Sequence, residues 1–593
     1  MTAFRNSLAL AAVLALAGAA SGQSAPPPAA TGAPTPLGSA TAPPADAPPA
    51  PQSAPVEFKP GILGKVTQTG VTEGDLGVVD GPPVGTLGDS QGGLGQSMWI
   101  NAPRGEVEDL LGRVPLVSAD PFVRGLARRV VLTVSDAPVG PARRALVTIR
   151  IEKLLQAGLL DDAGALAAAL KLDNDPDFAR VQAEALLYAG RDKEVCGDLT
   201  ATRLTAPEPF WLELRTWCFA AGGDSASAEL THAVLEAQGA KDPAFDLLSA
   251  DALGGRKTAP GAIDRPNALH VYLLRKTGLP VTGATAARLG TAANLLAARE
   301  TRNPPADRLA AAARIAATGA LTSAELLAIL NAQATPADQL AQPEATAAKL
   351  TFLPAQSLLR RAATLESRPQ QRLDLLLAAL SADGHRDRLP LAAALQGDLA
   401  LGIKPDPTMA RGRFALARAL LLNGNADAAS AWYGGAPDGT ELRVFQVLVD
   451  LASPNAARDA AAQAALAWFA ANAAPQQNPA PLAALALGLS DVLGKPMPPP
   501  ARALAATLEG MRWNAAARRP SDADLKKLEE AASQPGRKGE VVLRVLDIVG
   551  ANGPSDLPAD VTIECVRILY QAGLAAEAKA LAVEALALQA PPP

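Results

Sequence analysis

The side chains with the most chemical potential in this chain are few: Cys196, Cys218 and Cys565, and His232, His270 and His385. A zinc site needs three or four convergent ligands, and these histidines are scattered, with no H-E-x-x-H and no paired C-x-x-C. They are read as surface or helix-cap residues, with no metal and no cofactor expected. No G-x-x-x-x-G-K-[ST] phosphate loop occurs. The glycine clusters at 81–95 fall in an irregular stretch, whereas a phosphate cradle needs a strand before it and a helix after it. No catalytic residue is assigned, and the expectation is a protein that is not an enzyme.

The cysteines depend on compartment. Residues 1–22 have the layout of a signal peptide: Arg5 and the amino terminus are positive, Leu8–Ala20 is apolar, and Ala20-Ser21-Gly22 offers a cleavage site. The apolar run is shorter than the roughly 20 residues a membrane span requires. No cysteine lies near the cleavage site to accept a lipid, and no later run is long and uncharged enough to cross a bilayer. The expectation is export to the periplasm, or secretion, with no transmembrane segment after cleavage. An oxidising compartment permits disulfides. Cys196 and Cys218 fall in neighbouring predicted helices and are expected to form a structural disulfide closing a loop of about 20 residues, a contribution of about 3 kcal/mol. The alternative is two small buried thiols. Cys565, within the apolar stretch 561–569, is expected in the core.

The elements that must carry these residues are helices. Apolar residues make up 49% of the chain and aromatics only 4%, a balance dominated by Ala and Leu that favours helix packed closely on helix. At 593 residues the chain exceeds one compact core, a limit that repeat proteins avoid because each unit packs on its neighbours. The net charge of −5 and the isolated pairs Arg128-Arg129, Arg143-Arg144 and Arg360-Arg361 provide no concentrated basic face, so no nucleic-acid partner is expected.

Along the chain, residues 23–56 form a Pro/Ala-rich linker, expected to be a disordered tether; at about 3.1 Å per residue it reaches on the order of 100 Å. Residues 57–96 are Gly-rich and expected to be irregular. The helical body is expected over 97–593, in two sub-blocks of about 97–405 and 406–590. Helices are predicted to open at Asp120-Pro121, Asp175-Pro176 and Asp242-Pro243, where Asp caps free amides and Pro sacrifices no hydrogen bond, and again at Pro207-Glu208-Pro209 and Ser521-Asp522. Gly158, Gly190, Gly222 and Gly254 recur every 32 residues. In several units an Ala follows a Gly by five positions: Ala163, Ala228, Ala324, Ala429 and Ala578. A glycine ending one helix and a small residue early in the next is the signature of stacked helical hairpins.

That turn and period resemble tetratricopeptide (TPR) repeats, best over 145–255, 410–435 and 562–590. The units lack the Trp, the mid-helix Gly and the paired Tyr of the standard repeat, and the period fades between about 260 and 410. The resemblance implies an all-α, TPR-like hairpin superhelix, or solenoid, and a protein-interaction role. The expected partner is an envelope protein bound along a concave helical surface. A cell-wall spacer and a peptidoglycan-active or peptidoglycan- or glycan-binding protein are the alternatives. The catalytic domain of bacterial lytic transglycosylases pairs a Glu-Ser with a later Gly-Leu-Met-Gln-like stretch, a combination not met here. Phe210, Trp211, Trp217 and Phe219 crowd one hairpin and are expected to pack around the disulfide, with an exposed partner anchor as the alternative. Trp432-Tyr433 and Trp468-Phe469 invite the same two readings.

Overall fold

The computed structural model describes residues 82–589, apart from 173–174, 198–205, 262, 382–387, 407–408, 410–411, 435, 473–480 and 509–517. The predicted signal peptide, the Pro/Ala tether and His385 lie outside the described residues. Among the described residues the body is all-α: helices packed mostly against their sequence neighbours, with three isolated β-bridges and no strand. Typical neighbouring pairs are Pro209–Ala221 with Ser225–Ala237, Thr440–Ala452 with Ala456–Asn472, and Ala559–Gln571 with Ala575–Gln589.

Local sequence accounts for many of the helix ends. Asp120, Asp175 and Asp242 each accept a backbone N–H from the first turn (Val123, Phe178 and Phe245, at 2.9, 2.9 and 3.0 Å), with Pro in the first turn as expected. Ser521 caps the Asp524 amide at 3.1 Å, while Glu208 caps nothing through its side chain. Left-handed glycines close the hairpin turns, among them Gly158 (φ 73°), Gly424 (φ 76°) and Gly573 (φ 76°). One position shifts. Gly222 is right-handed and its neighbour Gly223 takes φ 84°, so the geometric spacing from Gly190 is one residue longer than the sequence spacing. The small residues after the turns are buried at Ala163, Ala228, Ala429 and Ala578, but Ala324 is exposed.

Residues 82–103 are irregular but anchored. Leu94, Met98 and Trp99 are buried, and Val84 and Leu87 bridge to Ser135 and Thr133.

Neighbour contacts alone would leave the first and last units of a helical stack apart. Here they meet. Helix Lys538–Val549 packs on both Arg104–Arg113 and Pro121–Leu132, and Ala575–Gln589 packs on Pro121–Leu132 as well as on Arg413–Leu422, Thr440–Ala452 and Pro481–Val492. Backbone bonds stitch this seam: Gly539 N–H to Met98 O (3.0 Å) and Asn101 N–H to Gly536 O (3.3 Å). The Trp99 ring lies on Gly539 so closely that an added Cβ would come within 2.3 Å of it, and the indole N–H donates to Ser135 Oγ at 2.8 Å.

Candidate functional site

The seam brings together ionisable groups from the two ends of the chain, in two clusters of opposite character. In the first, Glu540 is fully buried and both its oxygens are occupied: Arg537 bonds it at 2.7 and 2.8 Å, and Arg544 at 2.8 Å. Arg544 also reaches across the seam to Glu106 at 2.9 Å, and Lys527 meets the other Glu106 oxygen at 3.2 Å. Burial alone would raise the Glu106 carboxyl, but Lys527 and Arg544 outweigh it and hold it below the usual range. Each carboxylate here meets two cations.

The second cluster differs. Asp120 is fully buried at the start of Pro121–Leu132, and its Oδ1 is taken by the Val123 amide. Its Oδ2 has no hydrogen-bond donor among the described residues. Glu584, on Ala575–Gln589 and only 6% exposed, brings its carboxyl within hydrogen-bonding reach of the Asp120 carboxyl. A Cβ on Gly553 would fall 2.0 Å from Oδ2, so this third side is sealed by backbone that tolerates only glycine. The nearby cation, Arg124, donates to the Ser118 and Ala119 carbonyls at 2.8 and 2.7 Å. Two carboxyls facing one another in a buried site cannot both ionise cheaply. Burial first, then the charge of Asp120, pushes the Glu584 carboxyl up to about 9. Burial also raises Asp120, partly offset by the Val123 amide, Glu584 and Arg124. Glu584 is therefore a carboxylic acid at neutral pH, the state required to donate a hydrogen bond.

Glu584 and Arg124 also line a cleft of about 710 Å³ whose walls include Phe122, Leu391, Leu421 and Val583. A smaller cleft, about 310 Å³, carries Arg519–Asp560 and Arg567–Glu564, cations already committed to carboxylates.

The residues singled out in the sequence do not converge on these clefts. Cys196 and Cys218 form the expected disulfide, with Cα atoms 5.3 Å apart. Cys565 is buried, and burial pushes its thiol up to about 12, which makes it a poor nucleophile. His232 pairs with Asp246 at 2.7 Å, and buried His270 caps its helix through Asn267 while facing Asp242 at 3.1 Å. Among the described residues no three His, Cys, Asp or Glu converge as metal ligands. Phe210, Trp211, Trp217, Trp432, Tyr433 and Phe469 are buried, while Phe219 and Trp468 are half-buried. Five of the six paired arginines are engaged: Arg128 with Asp162, Arg129 with Glu577, Arg143 with Glu108 and Asp109, Arg144 with Glu152, and Arg360 with Asp398.

Two short strings invite an enzymatic reading on sequence alone. Gly88-Asp89-Ser90-Gln91-Gly92 spells G-x-S-x-G, but it forms an exposed 3-10 turn in which Gly88 N–H donates to Gln91 Oε1 at 2.8 Å, with no strand leading into it. Glu366-Ser367 follows the helix Phe352–Leu365, and Glu366 is held by Arg368 at 2.8 Å. The carboxyl pair escaped sequence reading because its halves lie at opposite ends of the chain. The one available signal was Glu584 itself, a single charge inside the apolar run 580–588.

No protein-family model, no curated protein and no solved structure matches the chain.

Proposed function

We propose that this chain is an exported, non-enzymatic scaffold, TPR-like in its hairpins, that binds another protein of the cell envelope. The observation that carries the reading is the succession of glycine-closed helical hairpins with small residues buried at their packing faces. Such hairpins present side chains to a partner without needing any of them to react. The apolar cleft lined by Phe122, Leu391, Leu421 and Val583 is the surface assigned to that partner. Under this reading the amino-terminal 22 residues direct export and residues 23–56 are the tether between the envelope and the helical body.

The test is site-specific photocrosslinking in living cells, with the reactive group at Leu391 or Val583 in the cleft and at Leu230 on an exposed helix face as control. The expected outcome is one envelope protein joined from both cleft positions and not from Leu230, whose purified form then binds the full chain. Recovery of peptidoglycan fragments alone, together with co-sedimentation on purified peptidoglycan, would instead establish the wall-binding role.

A further inference from the structure

The buried pair at the seam has a role that the scaffold reading does not require. We infer that Asp120 and Glu584 share one proton and so form a clasp between the first and last helices, which loosens when that proton is lost.

The geometry leaves one buried oxygen of the pair, Asp120 Oδ2, without a donor among the described residues. Asp120 Oδ1 accepts from the Val123 amide, the Phe122 amide lies within reach of both carboxyls, and the Glu584 carboxyl lies against that of Asp120, whose Oδ2 is otherwise unsatisfied. Gly553 packs its backbone so close to Oδ2 that a side chain at that position could not be accommodated. A protonated Glu584 donates its O–H to Oδ2, so the bond that satisfies the buried oxygen also joins residues near the two ends of the helical body. Loss of the proton to solvent leaves two carboxylates against one guanidinium, that of Arg124, whose hydrogen bonds go to backbone carbonyls. From Ala575–Gln589 the other nearby charges are Lys579, on the cleft wall, and Glu577, already paired with Arg129. The other elements around the cleft present Ser323, Pro390, Leu391, Leu421, Leu422 and Asn423, none of them charged; of the elements packed on Ala575–Gln589, Arg413–Leu422 commits buried Arg418 to the Ala587 carbonyl and Gly553–Asp556 carries exposed Asp556. Arg124 is the cation that acts on both carboxyls, and it then faces two negative charges in place of one.

Opening the seam returns Glu584 to water and to an ordinary carboxyl affinity for protons. The opening constant should therefore rise about tenfold per pH unit between roughly pH 6 and 9, and level off above.

Hydrogen–deuterium exchange on the full chain tests this, with rates corrected for intrinsic base catalysis. Protection of 121–132 and 575–589 should fall about tenfold per pH unit across that range. Glu584→Gln, whose amide donates to Oδ2 at any pH, should remove the slope at the seam. The exposed control helix 225–237 should show no difference between the two proteins. An infrared carboxylic-acid carbonyl band present at pH 8 and absent in Glu584→Gln should accompany this. Seam protection independent of pH, a slope unchanged in the variant, or no such band would each overturn the clasp.

Discussion

The two clusters along one seam solve the same problem in opposite ways. Around Glu540, every buried charge meets a counter-charge: Arg537 and Arg544 saturate the carboxylate, and Arg544 extends the network to Glu106 on the other side. Around Asp120, the seam places like against like and depends on a proton. The first arrangement sets opposite charges against one another and needs no shared proton. The second is stable only while one carboxyl remains neutral. A buried ion network fixes register at a cost in desolvation, whereas a carboxyl pair adds a response to conditions.

The sharpest way to break the comparison is Glu540→Gln. It leaves Arg537 and Arg544 buried beside a neutral amide, and loss of one partner of a buried pair costs about 3–5 kcal/mol. Urea unfolding of the variant should show that loss; a change below about 1 kcal/mol would mean that the seam contributes little to the fold. Reducing or replacing the Cys196–Cys218 bridge removes a constraint far from the seam in sequence and should cost about 3 kcal/mol by unfolding. Its effect should be the same in the wild type and in the Glu584→Gln variant, because sites without shared partners add.

Glu584→Gln sharpens the contrast. A carboxyl raised to about 9 in the folded chain contributes stability that is fully present below its unfolded value and is lost as pH rises toward 9. The wild type should therefore lose up to about 1.4 kcal/mol per pH unit relative to the variant over that window. Thermal melts of both proteins at pH 6, 7 and 8 give the comparison, and parallel curves would sink it. The smallest effect is expected at Arg128→Ala. Its partner is Asp162 at 2.6 Å, but the arginine side chain is 45% exposed, and such pairs contribute about 0.2–1 kcal/mol, screened further by salt.

What the sequence revealed follows the range of the interaction. Asp-Pro helix starts, glycine turns and a disulfide across 22 residues are local, and Asp120, Gly158 and Cys196 carry their signals within a turn or a hairpin. Even there, the Gly222-Gly223 pair allowed the turn to move by one residue. The seam is different. Lys527 and Glu106 are 421 residues apart, and nothing near either one predicts the other. Asp120 was legible as a cap through Oδ1, while the use of Oδ2 depends on Glu584 at the opposite end of the chain. Trp99 and Gly539 show the same limit, since the glycine is explained only by the ring that covers it.

The central claim is that the two ends of the helical body are joined, and zero-length carbodiimide crosslinking of the monomeric full chain tests it most directly. Lys527 Nζ stands 3.2 Å from Glu106 Oε1, so an amide linking these residues should be recovered by peptide mass spectrometry from the monomer fraction. Its absence there, or its recovery only from dimers, would contradict a seam within one chain.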